Sequence, residues 1–597
     1  MQASVKPGGS EAQSGTFSVG AGIVQRRLQS IVREIGIVLL RTTRSSTLFE
    51  AKDFGTALFD ETGAFLESRQ YMPMHAFSLP PGLEETLRVY QGDFQPGDVI
   101  LHNDVFTGGN QYNDVSVYKP VFLDDLLVGW AGVKGHQEDI GGSVSGGMNS
   151  NAREAWQEAL IVPAVKLLSG GTENRDLWRL LFRNVRLHEQ VESDVRAMIG
   201  ACTIGERRLV ALIRRYGIDD YRAMVAELMD GAERAMRSQI AAIPDGEYRG
   251  EAILHDAVDP GSETTVVVTV LVEGSDITFD FTGTDPQTPG YCNMPLAATK
   301  AACLLGFLML VEADMPLNQG VLRPIHYLVP DGTLLNPAFP AATGFGMPLS
   351  DHVCDAIFKA LADPLRHRVG AAWSHVGTYC TGKDPRDGRR FVSIFFFANK
   401  GGSGGTEGVD GYDHIGSIRA GGALEAEDNE MFEVSRPYFL LRKHEFLPDS
   451  AGAGQWRGGL GVETVLEMDG LDQSIVAYSD RLTEEPWGLF GGQAGLVSRM
   501  EIGEPDGRVR RAKSKDNIDG IPPRSLFHKW TGGGGGFGDP LRRVVELVVA
   551  DVRDELVSVR AARDLYGVVV DPDTLEVDHE ATASLRADQA GEDGERP

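Results

Sequence analysis

Glycine constrains this chain more than any other feature, with 72 of 597 residues, about 12% against an average near 7%. A residue without a Cβ is favoured where the backbone turns at positive φ or comes close to another backbone. Many such places are therefore expected. The densest are Gly401-Gly-Ser403-Gly-Gly405 and the run Gly532 to Gly536. The second lacks the strand-turn-helix setting of a dinucleotide fingerprint, so it reads as backbone packed tightly in a turn.

Between the glycines, the hydrophobic period changes along the chain. From Gly20 to Thr43 apolar residues recur at i, i+3, i+4, the mark of an amphipathic helix. DFGTALFDETGAFLES reads as a hairpin, followed by strands in GDVILHNDVF and VSVYKPVFLDDLLVGWAGV. Two or three long helices fill about Arg175 to Ile243, and after Pro244 the pattern returns to strands in TTVVVTVLVEG and SDITFDFTG. A helix is expected near Leu541 to Arg553. The fold class is α+β, with mixed sheets and a long-helix segment, and at roughly 150 residues per domain the length suggests about four units. The expected divisions are a disordered tail at 1–17, an α+β unit at 18–243, a β-rich unit at 244–468, a glycine-rich unit at 469–580 and a disordered tail at 581–597.

Charge excludes some partners. With 57 basic and 85 acidic residues the net charge is −28, a surface that repels phosphate backbones and anionic lipid, so neither nucleic acid nor membrane is an expected partner. Five cysteines without a C-x-x-C pair argue against disulfides or a thiolate zinc site. The opening MQASVKPGGSEAQSGTF has no apolar stretch of the secretory kind, and Ala301 to Val311 is shorter than the roughly 20 residues of a membrane span. A cytoplasmic setting is expected.

No G-x-x-x-x-G-K-[ST] occurs, so the chain is not expected to cradle ATP itself. G-x-S-x-G matches around Ser403, but TEGVDGYDHIG after it is no helix, which disfavours a nucleophile elbow. The richest polar region is Asp53 to Asp139, where Asp53, His75, His102, Asp104, Asp114, His136, Glu138 and Asp139 fall at turns and strand ends. Carboxylates with one or two imidazoles suit a divalent ion such as Zn, Mn or Fe. The same residues also have plainer readings: turn carboxylates at Asp53 and Asp114, an Asx-turn at Asn103-Asp104, a hydrogen-bonded core histidine at His75.

NDVFTGGNQYNDVSVYKPVF resembles the N-D-P-x-x-G-G-T-H-x-x-D motif of the hydantoinase B and oxoprolinase family, and GHQEDIGG resembles its H-H-x-D-x-G-G. DFTGTDPQTPGYCN, MPLNQGVLRP, LRKHEFLPDSAGAGQWRGGLGVE and TGGGGGFGDPLRR with DLYGVVV look like further landmarks in family order, from about Ile23 to Val570. The resemblance implies a hydantoinase B-like fold. It implies one subunit of an ATP-dependent cyclic amide hydrolase of the hydantoinase, N-methylhydantoinase or oxoprolinase type, acting on a small molecule such as a hydantoin or oxoproline analogue. A related branch comprises acetone and acetophenone carboxylases. ATP would sit only on a hydantoinase A-like partner, making a hetero-oligomer in which the partner phosphorylates the carbonyl oxygen of the substrate. By the same resemblance Asp53, Asp114 and His136 stand at metal-ligand positions. Gln111 replaces the His of T-H-x-x-D as a fourth contact, and Gln137 replaces the second His of H-H-x-D. His136 and Asp139 are the expected catalytic groups. An amide oxygen is a poorer ligand than imidazole, so an inactive scaffold supporting its partner is a third reading.

Overall fold

The computed structural model describes residues 17–257, 259–312, 315–374, 376–422, 428–479 and 481–593. Of the tails expected at 1–17 and 581–597, residues 1–16 and 594–597 lie outside the described residues. Helix α1 (Val19–Thr42) starts where the Ser18 hydroxyl accepts the Ala21 N–H at 3.2 Å, an N-cap. Its stripe of Val24, Leu28, Ile31, Ile35 and Leu39 is buried, each side chain contributing roughly 1.5–3 kcal/mol of transfer free energy. Next come α2 (Ser46–Phe49), α3 (Pro73–Phe77) and α4 (Leu79–Tyr90). The expected long-helix segment is α5 (Arg175–Arg183), α6 (His188–Tyr216) and α7 (Ile218–Ile240).

The helices α1 and α6 cover a seven-stranded antiparallel sheet. Its strands are β1 (Phe54–Phe59), β2 (Phe65–Gln70), β3 (Val99–His102), β4 (Asp114–Leu123), β5 (Leu126–His136), β6 (Val165–Ser169) and β7 (Thr172–Glu173), in the order β2-β1-β5-β4-β3-β6-β7. A second sheet joins β8 (Gly246–His255), β9 (Glu263–Glu273), β10 (Asp276–Asp280) and β11 (Ile325–Leu328). Against it pack α8 (Leu296–Leu308), α9 (Gln319–Leu322) and α10 (Ser350–Ala360) in one continuous core. The apolar run at 301–311 thus falls on a buried helix, and among the described residues no helix is long and apolar enough to cross a membrane.

The rest of the chain forms two sheets. One holds β12 (Gly377–Lys383), β13 (Arg390–Ile394), β16 (Leu471–Tyr478) and β19 (Lys515–Ile521). The other holds β14 (Phe439–Phe446), β15 (Val462–Met468), β17 (Arg499–Gly503), β18 (Val509–Arg511) and β20 (Ser525–Trp530). Both pair strands from either side of residue 468, so the division expected at 468/469 cuts through two hydrogen-bonded ladders and is corrected. The C-terminal tail is also corrected: His579–Asp593 is a helix, docked by the Thr582 hydroxyl on Val569 N–H (3.0 Å) and by Arg586 on the Tyr566 and Arg543 carbonyls.

The glycine clusters meet in a bundle of backbone segments. Gly405 N–H donates to Gly535 O, Gly452 N–H to Gly534 O and Gly534 N–H to Gly459 O, at 2.8–2.9 Å. A Cβ on Gly402 would lie 1.9 Å from Gly459 O, and one on Gly534 would lie 1.9 Å from Ser403 O. None of Gly532 to Gly536 has positive φ, so close approach between distant segments, and not the expected turn, demands glycine there. Ser403 is part of this packing. Its Oγ accepts the Tyr412 N–H at 2.7 Å and lies buried, with no helix following it.

Candidate active site

Adjacent strand ends assemble the site. The order β1-β5-β4 sets Asp53 just before β1, His136 at the end of β5 and Asp114 at the start of β4. Asp114 and His136 are paired across the ladder, and His136 N–H donates to the Asp53 carbonyl at 3.0 Å. The fourth member comes from α3. A Cβ on Gly55 would lie 2.7 Å from Ala76 N, so glycine in β1 lets α3 lie close enough for His75 to reach the aspartates.

The side chains form one chain of contacts. His75 Nε2 is 2.7 Å from Asp53 Oδ1, His75 Nδ1 is 3.3 Å from Asp114 Oδ2, and His136 Nδ1 is 2.7 Å from Asp114 Oδ1. Asn110 Nδ2 donates to Asp114 Oδ2 at 2.5 Å, and the buried Lys134 ammonium donates to Asn110 Oδ1, Ser78 O and Ser78 Oγ at 2.7–3.0 Å. Burial alone would raise the Asp114 pKa, but the His75 and His136 rings and Lys134 outweigh it and hold the carboxyl below its usual range. Burial would lower the His136 pKa, yet Asp114, with Asp53 and Glu138, raises it. Burial pulls Lys134 down to about 7, against the attraction of Asp114.

Asp53, His75 and His136 of this chain of contacts open onto a cavity of about 70 Å³, room for a few waters. Asp53, His75, Gln111, His136 and Glu138 line one part of it. Strand β12 contributes Tyr379, β16 contributes Tyr478, and Arg419, Asn399 and three methionines complete the wall. Glu138 is anchored by the Ser46 hydroxyl (2.8 Å) and by Gln190 (2.7 Å). Arg419 is buried and donates to Asp351 at 3.0 Å.

Other members of the polar region stay apart. Asp139 does not line the cavity: its oxygens accept the N–H groups of Gly141, Arg186 and Gly146 and the Arg186 guanidinium. It anchors the loop after β5 and is corrected from the catalytic group expected. Asp104 caps a short helical turn through Phe106 N–H, and His102 bonds Thr107 while burial lowers its pKa to about 3. Gln137 faces the opposite way from His136, as alternation along a strand requires, with its amide on Gly135 O and near Met198 of α6. The role of His75 and the Lys134–Asn110 support escaped sequence reasoning, since neither carries a local motif. Tyr379, Arg419 and Tyr478 lie more than 200 residues beyond His136 and had no signal at all.

By donor type, two carboxylates, two imidazoles and the Gln111 amide oxygen suit a borderline divalent ion. His75 Nδ1 is a buried nitrogen without a well-formed hydrogen bond, which adds a donor to the set. As placed, however, the rings and carboxylates are turned to each other, and among the described residues no three His, Cys, Asp or Glu side chains form a group that could hold a metal ion. A cation would have to replace the protons these groups share.

A sequence profile of the hydantoinase B/oxoprolinase family matches residues 18–540. The chain is 34% identical to the caprolactamase subunit beta of Pseudomonas jessenii over 581 residues, covering 95% of this chain and 98% of that one. The crystal structure of ATP-dependent caprolactamase from the same organism superposes with a TM-score of 0.90 at 32% identity, covering 96% of this chain and all of the matched one. A nucleotide-free acetone carboxylase matches with a TM-score of 0.88 over 97% of this chain and 84% of its own, but at 19% identity that likeness is one of fold. With its α+β architecture and its polar strand ends both in place, the chain belongs to the hydantoinase B/oxoprolinase family.

Proposed function

We propose that this chain is the ring-opening subunit of an ATP-dependent cyclic amide hydrolase. A hydantoinase A-like partner subunit would bind ATP and phosphorylate the substrate carbonyl, the two working as a hetero-oligomer in the cytoplasm, where ATP is available. The observation that carries this reading is the Asp53–His75–Asp114–His136 chain, three of whose members, Asp53, His75 and His136, line a cavity, in a protein that matches a caprolactamase subunit along almost its whole length.

A carboxylate only accepts hydrogen bonds, so His136 donates from Nδ1 to Asp114 and, when neutral, offers Nε2 as an acceptor. His136 takes a proton from water as the water oxygen bonds to the activated carbonyl carbon. It then returns that proton to the ring nitrogen, and the second water proton follows as the new hydroxyl becomes the acyl carbonyl and the C–N bond opens. A second water cleaves the acyl phosphate so formed and releases inorganic phosphate. Asp114 orients the ring and stabilises its charged form, and Asn110 and Lys134 fix Asp114 in turn. A zinc, manganese or iron ion would need Asp53, Asp114 and His136 to turn from their present hydrogen bonds toward it, with the Gln111 oxygen as a fourth contact, and would then polarise the carbonyl and acidify water in place of His136 acting as base. A cavity of about 70 Å³ must widen to admit substrate.

The test is co-production with the A-type ATPase subunit, followed by incubation with ATP and ε-caprolactam, hydantoin or 5-oxoproline. Ring opening that needs both subunits and vanishes in Asp114→Ala, with subunit association intact, is the expected result. Incorporation of labelled bicarbonate without ring opening would replace the hydrolase by a carboxylase. Unchanged turnover in Asp114→Ala would leave this chain as a scaffold.

A further inference from the structure

Beside the edge strand β2, between α1 and the end of α8, lies a second and larger concavity of about 700 Å³, within the size range of small-molecule pockets. Helix α1 turns Arg26, Gln29, Ser30 and Arg33 toward it, one face at i, i+3, i+4, i+7, while its other face is in the core. Strand β2 adds Arg69. The floor is apolar, made by half-buried Phe77, Leu308, Met309, Met315 and Leu317.

The three arginines are unusual in a chain of net charge −28, because among the described residues none of them makes an ion pair. Arg26 reaches only the Gln29 amide oxygen (3.3 Å), and Arg69 lies over the Tyr71 ring at 5.5 Å. Both acids in the lining are occupied elsewhere. Glu312 is paired with Arg368 at 2.8 Å. Glu67 is buried and takes the Ser68 N–H at 3.0 Å, and burial pushes it up to about 7. Three guanidinium groups therefore stand unneutralised above an apolar floor.

We propose that this groove binds an organic carboxylate with an apolar body. The guanidinium groups take the carboxylate through charge-assisted hydrogen bonds, and the floor takes the aliphatic or aryl body. Helix α3 contributes to both the groove and the cavity: Pro73 and Phe77 line the groove, His75 and the preceding Met72 the cavity.

Isothermal titration of the full chain with sodium octanoate tests this. Saturable binding is expected, weakened about tenfold or more by Arg33→Ala with Arg69→Ala and largely kept by the paired Lys substitutions. Acetate, which lacks the body, and octanol, which lacks the charge, are expected to bind at least about tenfold more weakly. All three arginines are exposed, so an unchanged melting temperature confirms that the variants fold. Four results overturn the proposal: no octanoate binding, binding indifferent to the alanine pair, octanol or acetate equal to octanoate, or subunit association lost in the alanine pair without octanoate binding, which would make the groove a protein interface. None of these readouts depends on hydrolase activity, so the groove and the proposed reaction stand or fall separately.

Discussion

Around Asp114 order comes from side chains: two imidazoles, an asparagine and a lysine fix one buried carboxylate. Around Gly534 it comes mainly from backbone, carbonyls and amides of four or more segments packed where side chains would be. The comparison shows two kinds of tolerance. A polar side-chain cluster keeps its strands when one member is exchanged, as Gln111 stands where the family motif has His. The glycine positions of the bundle leave no room for a side chain, because at Gly402, Gly459 and Gly532 to Gly536 the place of a Cβ is already filled by another backbone.

Substituting glycine should break the contrast most severely if it is wrong. Gly534→Ala places a methyl 1.9 Å from Ser403 O and is expected to cost more than about 4 kcal/mol, enough to abolish soluble folding. Gly22→Ala, with nothing within 4 Å, should gain up to about 1 kcal/mol of helix stability in the same denaturant titrations. Next is Asp114→Asn, expected to lower kcat about 10³-fold while costing roughly 1–3 kcal/mol of stability through unpaired buried donors. A loss of folding as complete as that of Gly534→Ala would erase the distinction between the two regions.

A pH titration sharpens it further. Glu67 has a folded-state pKa raised from 4.5 to about 7 by burial, so its folded form holds a proton that the unfolded chain has lost. Its contribution is fully present below pH 4.5 and is lost as pH rises through about 7. Glu67→Gln should flatten the stability profile across that window by about 3 kcal/mol, read as melting temperature against pH. The smallest effect concerns the metal. Gln111→His, which restores an imidazole, is expected to raise zinc affinity about tenfold in competition with a chelator, with no change in melting temperature of the metal-free chain.

Much of the first sheet was legible because its elements are local. The α1 stripe, the β1–β2 hairpin and the polar ends of β4 and β5 each announce themselves within a dozen residues. Asp53, Asp114 and His136 stood out as candidates for that reason. His75 was visible as a residue but not as a partner, since its approach depends on Gly55 lying under α3. Asp139 was misjudged because its sequence neighbours are polar, whereas its spatial neighbours are the amides of a loop and Arg186. The glycine bundle was legible as density but not as architecture: contacts such as Gly402 with Gly459 or Gly452 with Gly534 leave no period for a sequence to show.

The cavity draws its walls from Asp53 through Tyr478, which imposes an order of assembly during synthesis. The strand ends bearing the aspartates and His136 leave the ribosome some 340 residues before the tyrosine that helps to roof them. At about 5–20 residues per second, that is an interval of roughly 20–70 s. For that time a nascent chain carries its reactive groups uncovered, and the enzyme cannot be finished before its own translation nearly is.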